Sequence, residues 1–243
     1  APTDAVVIEI LDTRGAVLNS YNSDSVGGLR GNRGGGGMPG VGTAGPESQP
    51  EDPDAAPAGR RFTPPPRVTK NAGMNRFAWD VRHQAGPVLP PGQYQVRLKT
   101  GGFTKTEMFS VLIDPRVAED GVTLADLQEQ FEHNIRMREM VTAVNQLVTR
   151  VREAQNKLKS SASDAEKLAQ VTTIANKLMT EPVRYGKPGL QAHITYLASM
   201  TANVDQKIGR DAIERYAVLK KELDEIRAEV DRVLASPSTV TVP

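Results

Sequence analysis

Cysteine is absent from the chain, and with it go disulfide bonds, thiolate metal sites and any cysteine nucleophile. Aromatic residues make up only 5% of the 243 residues, with a single tryptophan, and hydrophobic residues only 38%, which is lean for one large core. A dominant charge is missing too. The 30 Lys and Arg against 29 Asp and Glu leave a formal +1, so no strong field points to nucleic acid or to an anionic membrane surface. No run approaches the roughly 20 consecutive apolar residues that a membrane-spanning helix needs. The chain opens at Ala1-Pro2-Thr3-Asp4 without an initiator Met or a basic-plus-apolar leader, and we expect that a further segment preceded Ala1. A cysteine-free chain fits either the cytoplasm or a secreted bacterial protein that relies on packing alone.

The first part reads as strands. Val6 to Leu11 is rich in β-branched residues and closes on Asp12-Thr13-Arg14-Gly15, a turn signature, after which Ala16 to Tyr21 returns as the second arm of a hairpin. From Asn75 to Arg82, Phe77, Trp79 and Val81 alternate with polar positions, which predicts a third strand with those three side chains on a buried face. Pro90-Pro91-Gly92 turns the chain into a strand in which Tyr94, Val96 and Leu98 alternate, and Gly101-Gly102 turns it again into Phe103 to Ile113. The expected core therefore includes Phe77, Trp79, Tyr94, Val96 and Leu98, and the pattern of short strands with Gly/Pro turns indicates a β-sandwich.

Residues 27–66 differ in character. Glycines from Gly31 to Gly37, prolines mixed with acids from Pro46 to Pro57, Arg60-Arg61, and Pro64-Pro65-Pro66 leave almost nothing to bury. Long loops inside compact domains are functional or disordered, so Arg30, Arg33, Arg60, Arg61 and Phe62 are the candidate interaction residues.

Pro115 ends the sheet region, and the hydrophobic period then changes to that of helices. Met137, Met140, Val144, Leu147, Val151, Ala154 and Leu158 follow three-four spacing behind a Thr123 cap. Ser160 to Ser163 breaks that helix, with Ser163 as the next cap. Leu168, Val171, Ala175 and Leu178 continue on a second helix up to Pro182, and Leu190, Ile194, Leu197 and Met200 on a short third. Asp211 opens a last helix with Ile213, Tyr216, Leu219, Leu223, Ile226, Val230 and Val233 on its apolar face. The prediction is an α+β protein with segregated parts: an antiparallel β-sandwich at 1–118, then an antiparallel bundle of three or four helices at 119–243.

A catalytic constellation is not legible. His83, His133 and His193 are far apart and stand in no metal-binding spacing, no GxSxG elbow is present, and the Gly31–Gly37 run lacks the Lys-Ser/Thr of a phosphate loop. Arg30 and Arg33 among glycines have the look of an RNA-binding segment, but an acidic run follows them. Trp79 would suit stacking on a sugar, yet its alternation with Phe77 and Val81 assigns it to the core. No metal, no cofactor and no catalytic residue is expected, and the chain is not expected to be an enzyme.

Three blocks in order carry a family resemblance: Val7 to Val17 with its Asp12-Thr13-Arg14-Gly15 hairpin, Ala72-Gly73-Met74-Asn75-Arg76-Phe77-Ala78-Trp79-Asp80, and Pro91-Gly92-Gln93-Tyr94-Gln95-Val96-Arg97-Leu98. Together they resemble the Ig-like domain of flagellar hook-capping proteins and related secreted modules. With Asp114-Pro115-Arg116-Val117 leading into helices, and with Tyr196-Leu197 and Glu214-Arg215-Tyr216, the whole is similar to the C-terminal region of large secreted BNR-repeat propeller proteins, the sortilin-like or glycosyl hydrolase-like group. The resemblance implies an Ig-like sandwich, a bacterial secreted, periplasmic or cell-surface location, and a non-catalytic structural or interaction role. Its partner would be a protein, either the rest of the parent chain or an assembly, with an accessory carbohydrate-binding role as the alternative. The 27–66 insertion departs from that pattern.

Overall fold

The structure is a computed structural model, and it describes residues 2–24, 67–159, 164–181, 183 and 186–236. Four strands, β1 (Val6–Leu11), β2 (Val17–Asn22), β3 (Gly92–Thr100) and β4 (Phe103–Val111), form one antiparallel sheet in the order β2-β1-β3-β4. Helices follow: α1 (Pro115–Glu119), α2 (Leu124–Lys159), α3 (Ala165–Leu178), α4 (Leu190–Ala202) and α5 (Arg210–Ala235). The architecture is therefore mixed, with strands first and helices after.

The hairpins form for reasons visible in the sequence. Asp12 Oδ1 accepts from the amides of Arg14 at 2.9 Å and Ala16 at 2.8 Å, while Gly15 takes a φ of 83° that other residues resist. Gly101, with φ 52°, turns β3 into β4. The register sets Ile8 beside Tyr21 and Leu98, Ile10 beside Val96, and Tyr94 beside Phe109, so these side chains share one face.

The expected third strand is not a strand. Residues 67–91 run as irregular extended chain, with one isolated bridge between Arg82 and Val88. Two local features divert the backbone from a ladder. The Asn75 side chain bonds Asn71 N, Asn71 O and Gly73 O, and Val81 sits at φ 56°. The alternation still works at the level of side chains: Phe77, Trp79 and Val81 are half-buried while Arg76, Ala78, Asp80 and Arg82 are exposed. The segment starts near β2, where Lys70 pairs with Asp24 at 2.8 Å, lays Phe77 on Tyr21, and reaches Tyr94 and Phe109 with Trp79. An aromatic layer thus covers the apolar face, and among the described residues there is no second sheet.

α1 begins behind Asp114, whose side chain accepts from Arg116 N at 2.9 Å, with Pro115 supplying the fixed φ suited to a first turn. No sequence expectation covered this short helix. At 36 residues α2 is about 54 Å long. It starts behind Thr123, which exchanges hydrogen bonds with Asp126 through its amide (2.9 Å) and hydroxyl, while Asp126 N donates back to Thr123 Oγ1 at 3.2 Å. The expected cap at Ser163 lies outside the described residues; Asp164 precedes α3.

Side-chain pairs fix the helix directions. Gln155 meets Thr172 and Arg152 meets Met179, so α3 runs antiparallel to α2; Gln191 meets Asn145 and Thr201 meets Asn134, so α4 does too. Arg150 pairs with Asp231 and the His133 ring contacts Tyr216, so α5 runs parallel to α2. α3 and α4 follow one another along α2, and all four helices share an apolar core that includes Met137, Val144, Ile174, Leu178, Ile194 and Leu219. Met200 and Ile213, expected on apolar faces, are exposed instead, because each stands beside the inward stripe of its helix, Ile194, Leu197 and Thr201 on α4 and Ala212, Tyr216 and Leu219 on α5. No described helix is long and apolar enough to cross a membrane.

The corner between α3 and α4 depends on Gly189. A Cβ there would lie 2.5 Å from the Met179 carbonyl carbon and 2.7 Å from that of Leu178, both backbone atoms that cannot swing away. We predict that Gly189→Ala destabilises the chain by about 1–3 kcal/mol through overpacking. Urea denaturation should show a lower midpoint with unchanged slope; a wild-type midpoint would mean that the corner relaxes freely.

Candidate interaction surfaces

The residues singled out on sequence divide into two groups. Arg30, Arg33, Arg60, Arg61 and Phe62 lie outside the described residues. The core group is brought together: Tyr94 is buried, Phe77, Trp79, Val96 and Leu98 are half-buried, and Trp79 meets Tyr94 and Phe109 edge-on at 6.0 and 5.9 Å. Burial, with the charge of Asp80 adding to it, pushes the Tyr21 phenol up to about 12, and Tyr94 donates to Pro90 O at 2.6 Å. These are the contacts of packed side chains rather than of an open platform.

On the opposite face of the sheet, Glu9 stands between Arg97 and Lys99. Its carboxylate accepts from Arg97 Nε at 2.6 Å and from Lys99 Nζ at 3.0 Å, and its side chain is 13% exposed. Burial opposes its ionisation, but the hydrogen bonds from Lys99 and Arg97 outweigh burial and hold the carboxyl below its ordinary value.

Sequence reasoning missed a buried polar cluster where α2 meets the end of α4. Gln130 Nε2 donates to the carbonyls of Thr201 at 2.8 Å and Val204 at 2.6 Å, and its Oε1 accepts from Gln206 N at 3.2 Å. Asn134 Nδ2 donates to Thr201 O at 3.0 Å, and Thr201 Oγ1 donates to Asn134 Oδ1 at 2.8 Å. These side chains serve carbonyls at the end of α4 that the helix itself leaves without donors. The signal was present, since Gln130, His133, Asn134 and Met137 follow three-four spacing and extend the apolar seam backwards. His133 is 1% exposed, with no partner on Nε2 and its ring 5.8 Å from that of Tyr216. Burial, then the Arg136 charge, lowers its pKa, and Glu129 acts weakly the other way. Among the described residues, no three of His, Asp and Glu are grouped to hold a metal ion.

Two surfaces are apolar and open. β4 is a sheet edge on which Phe103 is 52% and Met108 66% exposed. On α4, Tyr196 is 67% exposed and Met200 half so, one turn further on. Beside them lies a shallow depression of about 510 Å³ in which Arg152 donates to Met179 Sδ at 3.3 Å, with Gln191 and Thr195 on its wall. Neither surface converges polar groups on a single point. No family model, curated protein or solved structure matches the chain.

Two predictions follow from the titratable groups. Glu9→Gln should cost about 1 kcal/mol near neutrality, a discounted figure because solvent reaches Lys99. The Glu9 contribution is present above its ordinary pKa of 4.5 and is lost as pH falls below it, so wild type and variant should converge in acid. His133 has the same sign for a different reason. Below its ordinary value of 6.5 the unfolded chain binds a proton that the buried ring refuses, so stability falls as pH falls. His83, whose pKa burial also lowers, adds to that slope. Denaturation midpoints between pH 7 and 5 should fall less steeply in His133→Leu than in wild type; equal slopes would contradict this account.

Proposed function

We propose that the chain is a non-catalytic structural and interaction module at the C-terminal end of a larger secreted, periplasmic or cell-surface bacterial protein. In this reading residues 1–118 are an Ig-like unit whose second layer is the aromatic segment, and 119–243 are a helical bundle. Together they hold another polypeptide in place: a propeller of the BNR-repeat kind, a separate protein, or a second copy. The observation that carries the reading is where the large apolar side chains stand open. Tyr196 and Met200 stand together one turn apart on α4, and Phe103 and Met108 stand open on opposite faces of the edge strand β4. The secreted parent is supported by the three motifs at 7–17, 72–80 and 91–98, with the segments at 114–117, 196–197 and 214–216.

The alternative, an accessory carbohydrate-binding domain of a glycosyl hydrolase-like propeller protein, requires an open aromatic platform. Tyr21 and Trp79 have their rings against Phe77, Tyr94 and Phe109, which favours the protein-binding reading. Lysine-directed cross-linking in the medium and envelope of the producing cells, followed by mass spectrometry, tests the choice. The expected result is a reproducible set of links from the β4 or α4 side to one other polypeptide or to another part of the parent. Only links within the chain itself, together with retention on a polysaccharide, would replace this reading with the alternative.

A further inference from the structure

The identity of one partner can be read from β4, and this step rests on the interaction-module reading. β4 is the last strand of the sheet, and among the described residues no strand pairs with its outer side. A nine-residue edge offers a row of unpaired amides and carbonyls to any compatible strand. Residues 103–108 are exposed throughout, and an apolar ring at Phe103 and a Met at 108 stand within them. The edge also carries one cation and one anion on the same face. Lys105 and Glu107 lie two residues apart, 2.9 Å from each other, with 64% and 63% of their side chains exposed. A pair that open contributes almost nothing within its own strand.

We propose that β4 pairs antiparallel with β4 of a second copy of this chain, about a two-fold axis through Thr106. Lys105 then stands opposite the other copy's Glu107, and Glu107 opposite its Lys105, giving two cross-strand ion pairs by symmetry. Phe103 comes opposite Phe109, whose ring already contacts Trp79 and Tyr94, and Thr104 comes opposite Met108. The Thr106 side chains face one another across the axis. The two four-stranded sheets become one continuous sheet.

Charge selects this register against its neighbours. A two-fold axis normal to the sheet pairs only residues on the same face, so the adjacent registers are centred on Lys105 or on Glu107. The first sets two lysines directly opposite each other, and the second two glutamates, and like charges opposed across strands are destabilising. Charges that block pairing with an arbitrary strand thus become complementary in one self-pairing and in no neighbouring one.

Sedimentation of the full chain over a range of concentrations, at low and high salt, tests the proposal. The expected result is a monomer–dimer equilibrium that weakens with salt. Lys105→Glu and Glu107→Lys, each alone, should weaken the dimer at least about tenfold, and the double exchange K105E/E107K should restore it to within about threefold. Hydrogen exchange should show amides of residues 103–109 gaining protection on dimerisation. A strict monomer at every concentration overturns the proposal. So does a dimer indifferent to the single exchanges, or one whose protection appears on α4 instead. Should either single variant lose its fold by circular dichroism, the other single variant and the exchange data decide. If the chain is monomeric but cross-links to another polypeptide in the cell, the self-pairing fails and the interaction-module reading stands. If no such links form, both fail.

Discussion

Helix α2 carries, on one continuous seam, the side chains against which every other long helix packs. Its buried positions run from Leu127 through Gln130, His133, Asn134, Met137, Met140, Val144 and Leu147 to Val151. No partner on the α3–α4 side is long enough to cover that seam alone, since α3 has 14 residues and α4 has 13. Two helices in series do it, and the chain must turn between them without opening a gap. This places Gly189 against the backbone at Leu178 and Met179. The same length mismatch explains the polar end of the seam. α4 stops at Ala202, its last carbonyls need donors, and the α2 side chains Gln130 and Asn134 supply them at Thr201 O, with Gln206 Nε2 donating to Met200 O. A seam that is apolar in the middle and amide-bearing at one end is thus a consequence of helix length.

The sheet meets the shortage of large apolar residues in another way. Four strands create one apolar face, and a face that size needs a cover. The chain supplies it with two aromatic side chains on an extended segment, Phe77 over β2 and Trp79 over β3 and β4, instead of a second hydrogen-bonded sheet. The cover is narrow, which leaves Val96 and Leu98 only half-buried. On the other face Glu9, Arg97 and Lys99 satisfy one another, beside a buried Leu11.

Side-chain periodicity carried most of this information, and backbone conformation carried little. Alternation placed Phe77, Trp79 and Val81 on the inner side, which is where they lie, yet the backbone beneath them is not a strand. Period two reports which side chains point inward in any extended chain, paired or unpaired. Nothing in the sequence signals that Val81 adopts a φ of 56° or that Asn75 ties up the local amides. The helical seams were legible for the same reason, because Met137 to Val151 and Leu219 to Val230 repeat at helical spacing. Directions were not, since an amphipathic helix packs equally well parallel or antiparallel, and only long-range pairs such as Arg150 with Asp231 decide it. The polar cluster was missed because Gln130, His133 and Asn134 do not look like core residues until a helix end is known to lie above them.

The distribution of unsatisfied chemistry bears on function. Buried polar groups in this chain are mostly consumed by structure: Glu9 by two cations, and Gln130 and Asn134 by the carbonyls at the end of α4. What the described parts leave open is apolar surface and the backbones of the two edge strands, β2 and β4. Chemistry of that kind recognises shape and backbone. It is also delivered by rigid elements, β4 held by β3 along its whole length and α4 held by α2 and α5, so binding there loses little conformational entropy. The two parts are joined through the segment at 67–91, where His83 meets Phe131 of α2, and no strand packs directly on a helix among the described elements. Each part can therefore present its own surface without repacking the other. Among the described residues, the segment at 67–91 lies between the sheet and α2, so it bears on the geometry between the β4 and α4 surfaces.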